Sequence, residues 1–430
     1  MDKTEQVLAG KAAELAQDHV NSERLRLAIA ELASFGGRTD GGVSRQTLTD
    51  MDLKARRSLV ERARAMGCTV EIDDCANLFF RRPGQSDLPP VLTGSHIDTQ
   101  PVGGKLDGAY GVLAGLEVVQ ALNDAAVQTL RPVEVVAWTN EEGSRFGPGC
   151  MGSSAYVDPG RLAGYRAVVD GEQVSFGDAL DRTLRELADV PRRAMRQPLT
   201  GFVELHIEQG PVLERAQVPL GVVTGIQSVR WYRVKVAGVP AHAGTTPMEV
   251  RADAMAASIE VAHRLYCEAR QAAASQLRLT LGRWVVGPNS INTIPGEVEF
   301  TIDVRCVDEQ VLAQFDQTLR NILVAHAGPC RMELESIFER APTRFPRDML
   351  MLIEQACARA CALARRPAPI EVTSGAFHDA MYLAEHCPTA MIFVPSKGGL
   401  SHNAAEETAH EDLLMGAQAL AYAVTRMACA

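Results

Sequence analysis

Val91-Leu-Thr-Gly-Ser-His-Ile-Asp98 and Val133-Glu-Val-Val-Ala-Trp-Thr-Asn140 are short apolar runs that end in polar residues. Between them, Gly111–Leu122 carries apolar residues at helical spacing. Strand, crossover helix, strand is the grammar of a mainly parallel sheet. Ligands of such sheets sit beyond the carboxyl ends of the strands, and His96, Asp98, Glu141 and Glu142 fall there.

From about Val229 the pattern changes. Val229–Gly238 predicts a strand, Met248–Arg270 a long helix, Leu277–Val286 and Val298–Val307 two strands, Asp308–Ala327 a helix and Arg331–Phe338 a last strand. The order β-α-β-β-α-β is that of a split, ferredoxin-like unit. After Pro342, long helices (Asp348–Arg365, Glu411–Met427) and a buried strand (Ala390–Val394) resume the first pattern. The expected class is α/β, with a discontinuous domain, 1–226 and 341–430, whose mainly parallel mixed sheet is flanked by helices. A ferredoxin-like domain, 227–340, is inserted into it.

Of the 430 residues, 46% are hydrophobic and 22% charged, which allows a sizeable core. A net charge of -10 argues against a nucleic-acid binder, which needs clustered Lys and Arg. Met1–Lys11 is polar, so no secretory signal is expected, and no run of about 18 apolar residues predicts a membrane span. Ten cysteines are scattered without a framework spacing, and Cys357 and Cys361, one helical turn apart, suit core thiols. Reduced thiols fit a cytoplasmic protein.

In Gly94-Ser-His96-Ile-Asp98-Thr99, alternation along a strand puts His96 and Asp98 on one face. The carboxylate can then fix the imidazole tautomer so that the other nitrogen meets a metal; a polar loop explains the pair as well. Asp107, in Gly103-Gly-Lys-Leu-Asp107-Gly108, lies among glycines that let the backbone come close to something. Alone, it reads as a helix cap. Glu141 and Glu142, adjacent at a strand end, repel unless a cation or proton offsets them. One can bind metal while the other stays free as a base. His206, inside an alternating strand, and His402, after Gly398-Gly399, are each more often structural than ligating. Together these residues form an ordered set that suits Zn or Mn, with a carboxylate shared between two ions. HExxH is absent, which disfavours a zincin.

The motifs GSHIDTQPVGGKLDG, TNEEGSRF, ELHIEQGPVLE, AHAGTTPM, INTIPG and SHNAAEET occur in that order over nearly the whole chain. This series resembles the M20-type metallopeptidase superfamily, in its hydantoinase/carbamoylase amidase branch. That branch includes N-carbamoyl-L-amino acid hydrolases, β-ureidopropionases and allantoate amidohydrolases. The resemblance implies that Asp107 bridges two divalent metals, one also taking His96 and His206, the other Glu142 and His402. Zn or Mn is implied, with Co or Ni as substitutes in vitro. Glu141 is implied as the general base, His242 as an oxyanion donor, and Gln209, Asn292 and Arg305 as substrate-binding groups. The 227–340 domain resembles the family's lid and dimerisation domain, which implies a homodimer and a small carboxylate substrate. Three stretches depart from the family's pattern: Ala76-Asn77-Leu78, Gly147-Pro-Gly-Cys150, and Ser374-Gly-Ala-Phe377-His378-Asp379, where Phe377 replaces a glycine. The expected reaction is hydrolysis of an N-carbamoyl amino acid. Allantoate hydrolysis, a peptidase or aminoacylase acting on an acyl amide, and a catalytically silent binding protein are the competing readings.

Overall fold

The computed structural model describes residues 3–272 and 277–430; Met1 and Asp2, at the head of the segment read for a leader, lie outside them. The chain divides into two compact units, Met1–Thr224 with Phe345–Ala430, and Gly225–Arg344.

In chain order the first strands are β1 (Thr69–Ile72), β2 (Leu78–Arg82), β3 (Val91–His96), β4 (Val133–Trp138), β5 (Gly201–Ile207) and β6 (Gly221–Ile226). Then come β7 (Ser228–Ala237), β8 (Arg278–Thr280), β9 (Trp284–Gly287), β10 (Glu297–Cys306), β11 (Arg331–Arg340) and β12 (Thr343–Arg344). The last two are β13 (Ile370–Ser374) and β14 (Thr389–Val394).

The first unit is built on a mixed sheet in the order β1-β2-β4-β3-β5-β14-β6. Its four central strands are parallel: β3 pairs with β4 and β5, and β5 with β14. Antiparallel strands flank them on both sides. Every residue of β3, β4, β5 and β14 is buried, as expected of strands covered on both faces. Glu134, in the middle of β4, is tolerated there because Arg81 (2.9 Å) and Arg193 (3.2 Å) pair with it. The crossover helix Ala109–Asp124 is buried nearly all round; Tyr110 donates its hydroxyl hydrogen to Leu413 O (2.6 Å), tying it to the helix His410–Ala428. Cys357 and Cys361 are buried free thiols. No described helix is long and apolar enough to cross a membrane.

The second unit has sheet order β11-β7-β10-β8, all antiparallel, with β9 also on β10. Alternate residues of β10 (Val298, Phe300, Ile302, Val304) meet Val261, Leu265, Leu312 and Leu319 of two covering helices in one core. Two expectations are corrected here. The expected helix Met248–Arg270 is a 3-10 turn, Met248–Val250, followed by a helix, Ala254–Gln271. Asp253 separates them by capping the helix, accepting from the N–H groups of Met255 and Ala256. The expected strand Leu277–Val286 is two strands, β8 and β9, on different stretches of β10. The break at Leu281–Arg283 contains Gly282, and Arg283 N–H turns to the Thr301 hydroxyl (3.2 Å).

Candidate metal centre

The four parallel strands all release their chains at the same edge of the sheet, and that edge is where the predicted side chains gather. His96 is the last residue of β3 and His206 the penultimate residue of β5. Glu141 and Glu142 follow β4, and His402 follows β14. Asp107 precedes the crossover helix, whose N-cap is Gly108.

Asp107 is the meeting point. Its Oδ1 lies 3.2 Å from His206 Nε2 and 3.5 Å from His96 Nε2, and its Oδ2 lies 3.4 Å from His402 Nε2. His402 Nε2 is also 3.2 Å from Glu142 Oε2. Of three groups of ligand atoms among the described residues that each fall within 4.8 Å of one another, two share Asp107: His96–Asp107–His206 and Asp107–Glu142–His402. The first is buried, whereas His402 in the second is half exposed.

The tautomers test whether a cation fits. His96 Nδ1 is 2.9 Å from Asp98 O, and His206 Nδ1 is 2.9 Å from Ile207 O. A carbonyl only accepts, so each Nδ1 carries the hydrogen, and in the neutral ring each Nε2 presents a lone pair. Gly108 N–H donates to His206 Nε2 (3.1 Å), which requires that same lone pair. With both rings neutral, two lone pairs face an ionised carboxylate at 3.2 and 3.5 Å, acceptor against acceptor, and a proton or a cation must come between them. A divalent cation between them turns that repulsion into coordination, and imidazole and carboxylate are its usual partners.

Charge follows the same geometry. Without a metal, protons take that place: burial raises Asp107, but hydrogen bonds from His206, His402 and His96, whose own proton affinities are raised by the carboxylates around them against their burial, hold it well below the usual carboxylate range. His402 is pushed up to about 10 by Asp107 and Glu142. Burial pushes Glu141 well above its ordinary value; Asp379, Glu142 and Asp107 add to this and His96 opposes it. Glu141 Oε2 stands 3.5 Å from His96 Nε2.

One predicted role changes, and a second residue, Gln209, gains a contact to the shared aspartate. The Asp98 carboxylate does not hold His96; its backbone carbonyl does, and the carboxylate is 3.7 Å from Nδ1. Because β3 ends at His96, strand alternation no longer governs Asp98. Its carboxylate instead accepts the N–H groups of Glu141 (3.1 Å) and Glu142 (3.2 Å), fixing the loop that carries both. Gln209 donates to Asp107 Oδ2 (2.8 Å) and to Ser401 (3.2 Å), so it steadies the shared carboxylate.

The remaining predicted residues belong to the second unit. His242 and Asn292 lie on paired loops, with Ala243 N–H donating to Asn292 O (3.0 Å) and Ile294 N–H to Ala241 O (2.8 Å). Arg305 is not with them. It sits in register with Val229, eight positions along β10 from Glu297 at the loop end. At about 3.4 Å per residue this is roughly 27 Å. Its guanidinium is forked onto Asp303 (2.8 and 3.0 Å).

Sequence reading missed Glu406, Ser401 and Glu204. Glu406 is buried and accepts the N–H groups of Leu106 (2.8 Å) and Asp107 (3.1 Å) and the Ser401 hydroxyl (3.1 Å). Burial, then Asp107, pushes it up to about 7. Ser401 also donates to Asp107 Oδ2 (2.8 Å). A Cβ at Gly104 would overlap the Glu406 side chain, but a glycine by itself names no partner. Glu204 accepts from Ser95 (2.7 Å) and from Ala380 N–H (2.9 Å) and forms the third of the ligand-atom groups with His206 and His378, whose ring packs edge-on to His206 at 4.5 Å between centroids. Phe377 precedes that histidine.

Comparison with known proteins gives the family. Residues 92–426 match the profile of peptidase family M20/M25/M40. The chain is 38% identical over 416 residues to an N-carbamoyl-L-amino acid amidohydrolase of Geobacillus stearothermophilus, covering 95% of this chain and 99% of that one. It is 36% identical over 401 residues to an allantoate amidohydrolase of Escherichia coli, covering 92% and 96%. A solved hydantoinase/carbamoylase family amidase from Burkholderia multivorans superposes with a TM-score of 0.84 at 41% identity, covering 96% and 98%. A strand-end cluster of imidazoles and carboxylates around one shared aspartate, in a chain matched from residue 92 to residue 426, makes this protein a member of peptidase family M20/M25/M40.

Proposed function

We propose that the chain is a two-metal amidohydrolase that cleaves the carbamoyl C–N bond of an N-carbamoyl amino acid, α or β, releasing the amino acid, carbon dioxide and ammonia. The observation that carries this reading is the pair of imidazole lone pairs facing the Asp107 carboxylate. The names of the relatives indicate the bond. His96, His206 and Asp107 would hold one divalent ion, Zn or Mn, and Asp107, Glu142 and His402 the other. Bound there, the ions supply Lewis acidity toward the scissile carbonyl and toward water.

Glu141 is the group to take the proton from water and deliver it to the leaving nitrogen. Its raised proton affinity, set first by burial, suits both transfers. His242 Nδ1 accepts from Gly244 N–H (3.1 Å), which leaves Nε2–H as a donor for a developing oxyanion. Arg305 and Asn292 are the groups for the substrate carboxylate, which a guanidinium fork matches bidentately. Arg305 would have to trade Asp303 for the substrate or hold both. Its separation from His242 along β10 supports a homodimer in which different copies supply the two to one small molecule.

The test is a substrate panel on metal-loaded protein, covering N-carbamoyl-L-amino acids, ureidopropionate, allantoate, N-acyl amino acids and dipeptides. Ammonia released with free amino acid from a carbamoyl substrate is the expected result. Turnover of allantoate alone would favour the activity named for the relative at 36% identity. Free amino acid without ammonia, from acyl or dipeptide substrates, would replace the proposal by a peptidase.

A further inference from the structure

Cys150 lies in the Gly147-Pro-Gly-Cys150 stretch that departs from the family's pattern, and nothing in the mechanism above uses it. Its backbone is left-handed (φ 52, ψ 32) and the residue is 3% exposed. Its N–H donates to Glu141 O (2.9 Å), Met151 N–H to Asn140 O (3.2 Å) and Gly152 N–H to Thr139 O (2.8 Å). The two segments are therefore laced together, and a Cβ at Gly149 would overlap Glu141 O. That lacing brings Cys150 Sγ to 3.5 Å from Glu141 Oε1, with the thiol as donor.

We propose that Cys150 is a positioning residue for Glu141: its S–H holds Oε1 so that Oε2 stays turned toward His96 Nε2 and the reacting water. This rests on the reading of Glu141 as the base. A carboxylate on a three-torsion side chain turns unless something holds it, and backbone contacts of Asp98 and Cys150 fix only the main chain of Glu141. The thiol meets Oε1, while His96 Nε2 stands 3.5 Å from Oε2 on the other side. Burial, with Glu141 and Asp379 close by, pushes the thiol well up and keeps its hydrogen in place for donation. Sulfur is a weak donor, so the effect is one of orientation and modest in size.

The experiment uses the full, metal-loaded chain. Cys150→Ala is expected to lower kcat about three- to tenfold, the loss of one modest hydrogen bond, with KM and metal content within about twofold of wild type. Cys150→Ser, which keeps a donor, is expected to recover most of kcat. In parallel, the S–H stretching band of Cys150, isolated by infrared difference against Cys150→Ala, should lie below that of an unbonded thiol and return to it in Glu141→Ala. Full kcat in Cys150→Ala, a serine variant no better than alanine, or an S–H band unmoved by Glu141→Ala would each overturn the proposal. Should Cys150→Ala fail to fold, the wild-type minus Glu141→Ala spectrum decides alone. That spectrum needs no turnover, so a wild-type protein inactive on every carbamoyl substrate would sink the functional reading while the thiol contact is still judged separately.

Discussion

Asp107 divides its two oxygens among five side chains, with His96 and His206 on Oδ1 and His402, Gln209 and Ser401 on Oδ2. Glu406 grips the backbone N–H of the same residue from the other side. Groups that orient a ligand typically change metal affinity by about 10- to 100-fold when removed. Glu406→Ala is therefore expected to weaken metal binding by that factor with the fold intact, read by metal titration beside a circular dichroism spectrum; unchanged affinity would show that Asp107 needs no such support. At this scale the residues were readable as ligand candidates because each sits in a quoted motif, His96, Glu142 and His206 near strand ends, Asp107 before the crossover helix and His402 in the loop after β14. Glu406 was not, because a carboxylate about 300 residues from its partner gives no local pattern. The tautomers were legible only in part: the sequence named Asp98 as the partner of His96, but not that its backbone carbonyl does the holding.

The element that shapes the centre is the entry to the helix Ala109–Asp124. Gly108 caps it at φ +62, where side chains other than glycine's are strained, and a Cβ at this position would overlap the His96 imidazole. Gly108→Ala is thus expected to cost about 1–2 kcal/mol from the backbone alone and to displace His96 from the site. The checks are a lower Tm and loss of bound metal. Retention of full metal content would mean that the ring has room the structure does not give it. Strands β3, β4 and β14 were readable as apolar runs whose ends fell within two residues, whereas β5 was read only as an alternating strand around His206. The second unit was harder. Asp253 and Gly282 each interrupt an apolar pattern that looked continuous, one by capping the backbone and one by breaking a ladder. Periodicity carries no record of either.

At the scale of the whole molecule, the distance between Arg305 and His242 along the second unit leads to a complementation test. If different copies supply the two groups, mixing Arg305→Ala with His242→Ala chains under exchange restores one intact site per mixed dimer. Activity should then recover to about a quarter of wild type, from half the dimers with one of two sites intact. No recovery would assign both groups to one copy. The charge balance of the centre also predicts its pH response. Hydrogen bonds to Asp107 and Glu142 keep His402 protonated up to about 10 in the absence of metal. A metal ion must displace that proton, so apparent affinity should rise as pH rises through neutrality toward about 10, and fall as pH drops. Calorimetry in buffers of different ionisation enthalpy would detect the released protons, and a pH-independent affinity without proton release would contradict the assignment of His402.

The central claim is that His96, Asp107, Glu142, His206 and His402 hold a pair of ions that share Asp107. Metal content per chain, measured by mass spectrometry after loading and desalting, tests it most directly. About two ions per chain are expected in the wild type, falling to about one in His206→Ala and in His402→Ala. A wild type that binds a single ion, or variants that keep both, would contradict it.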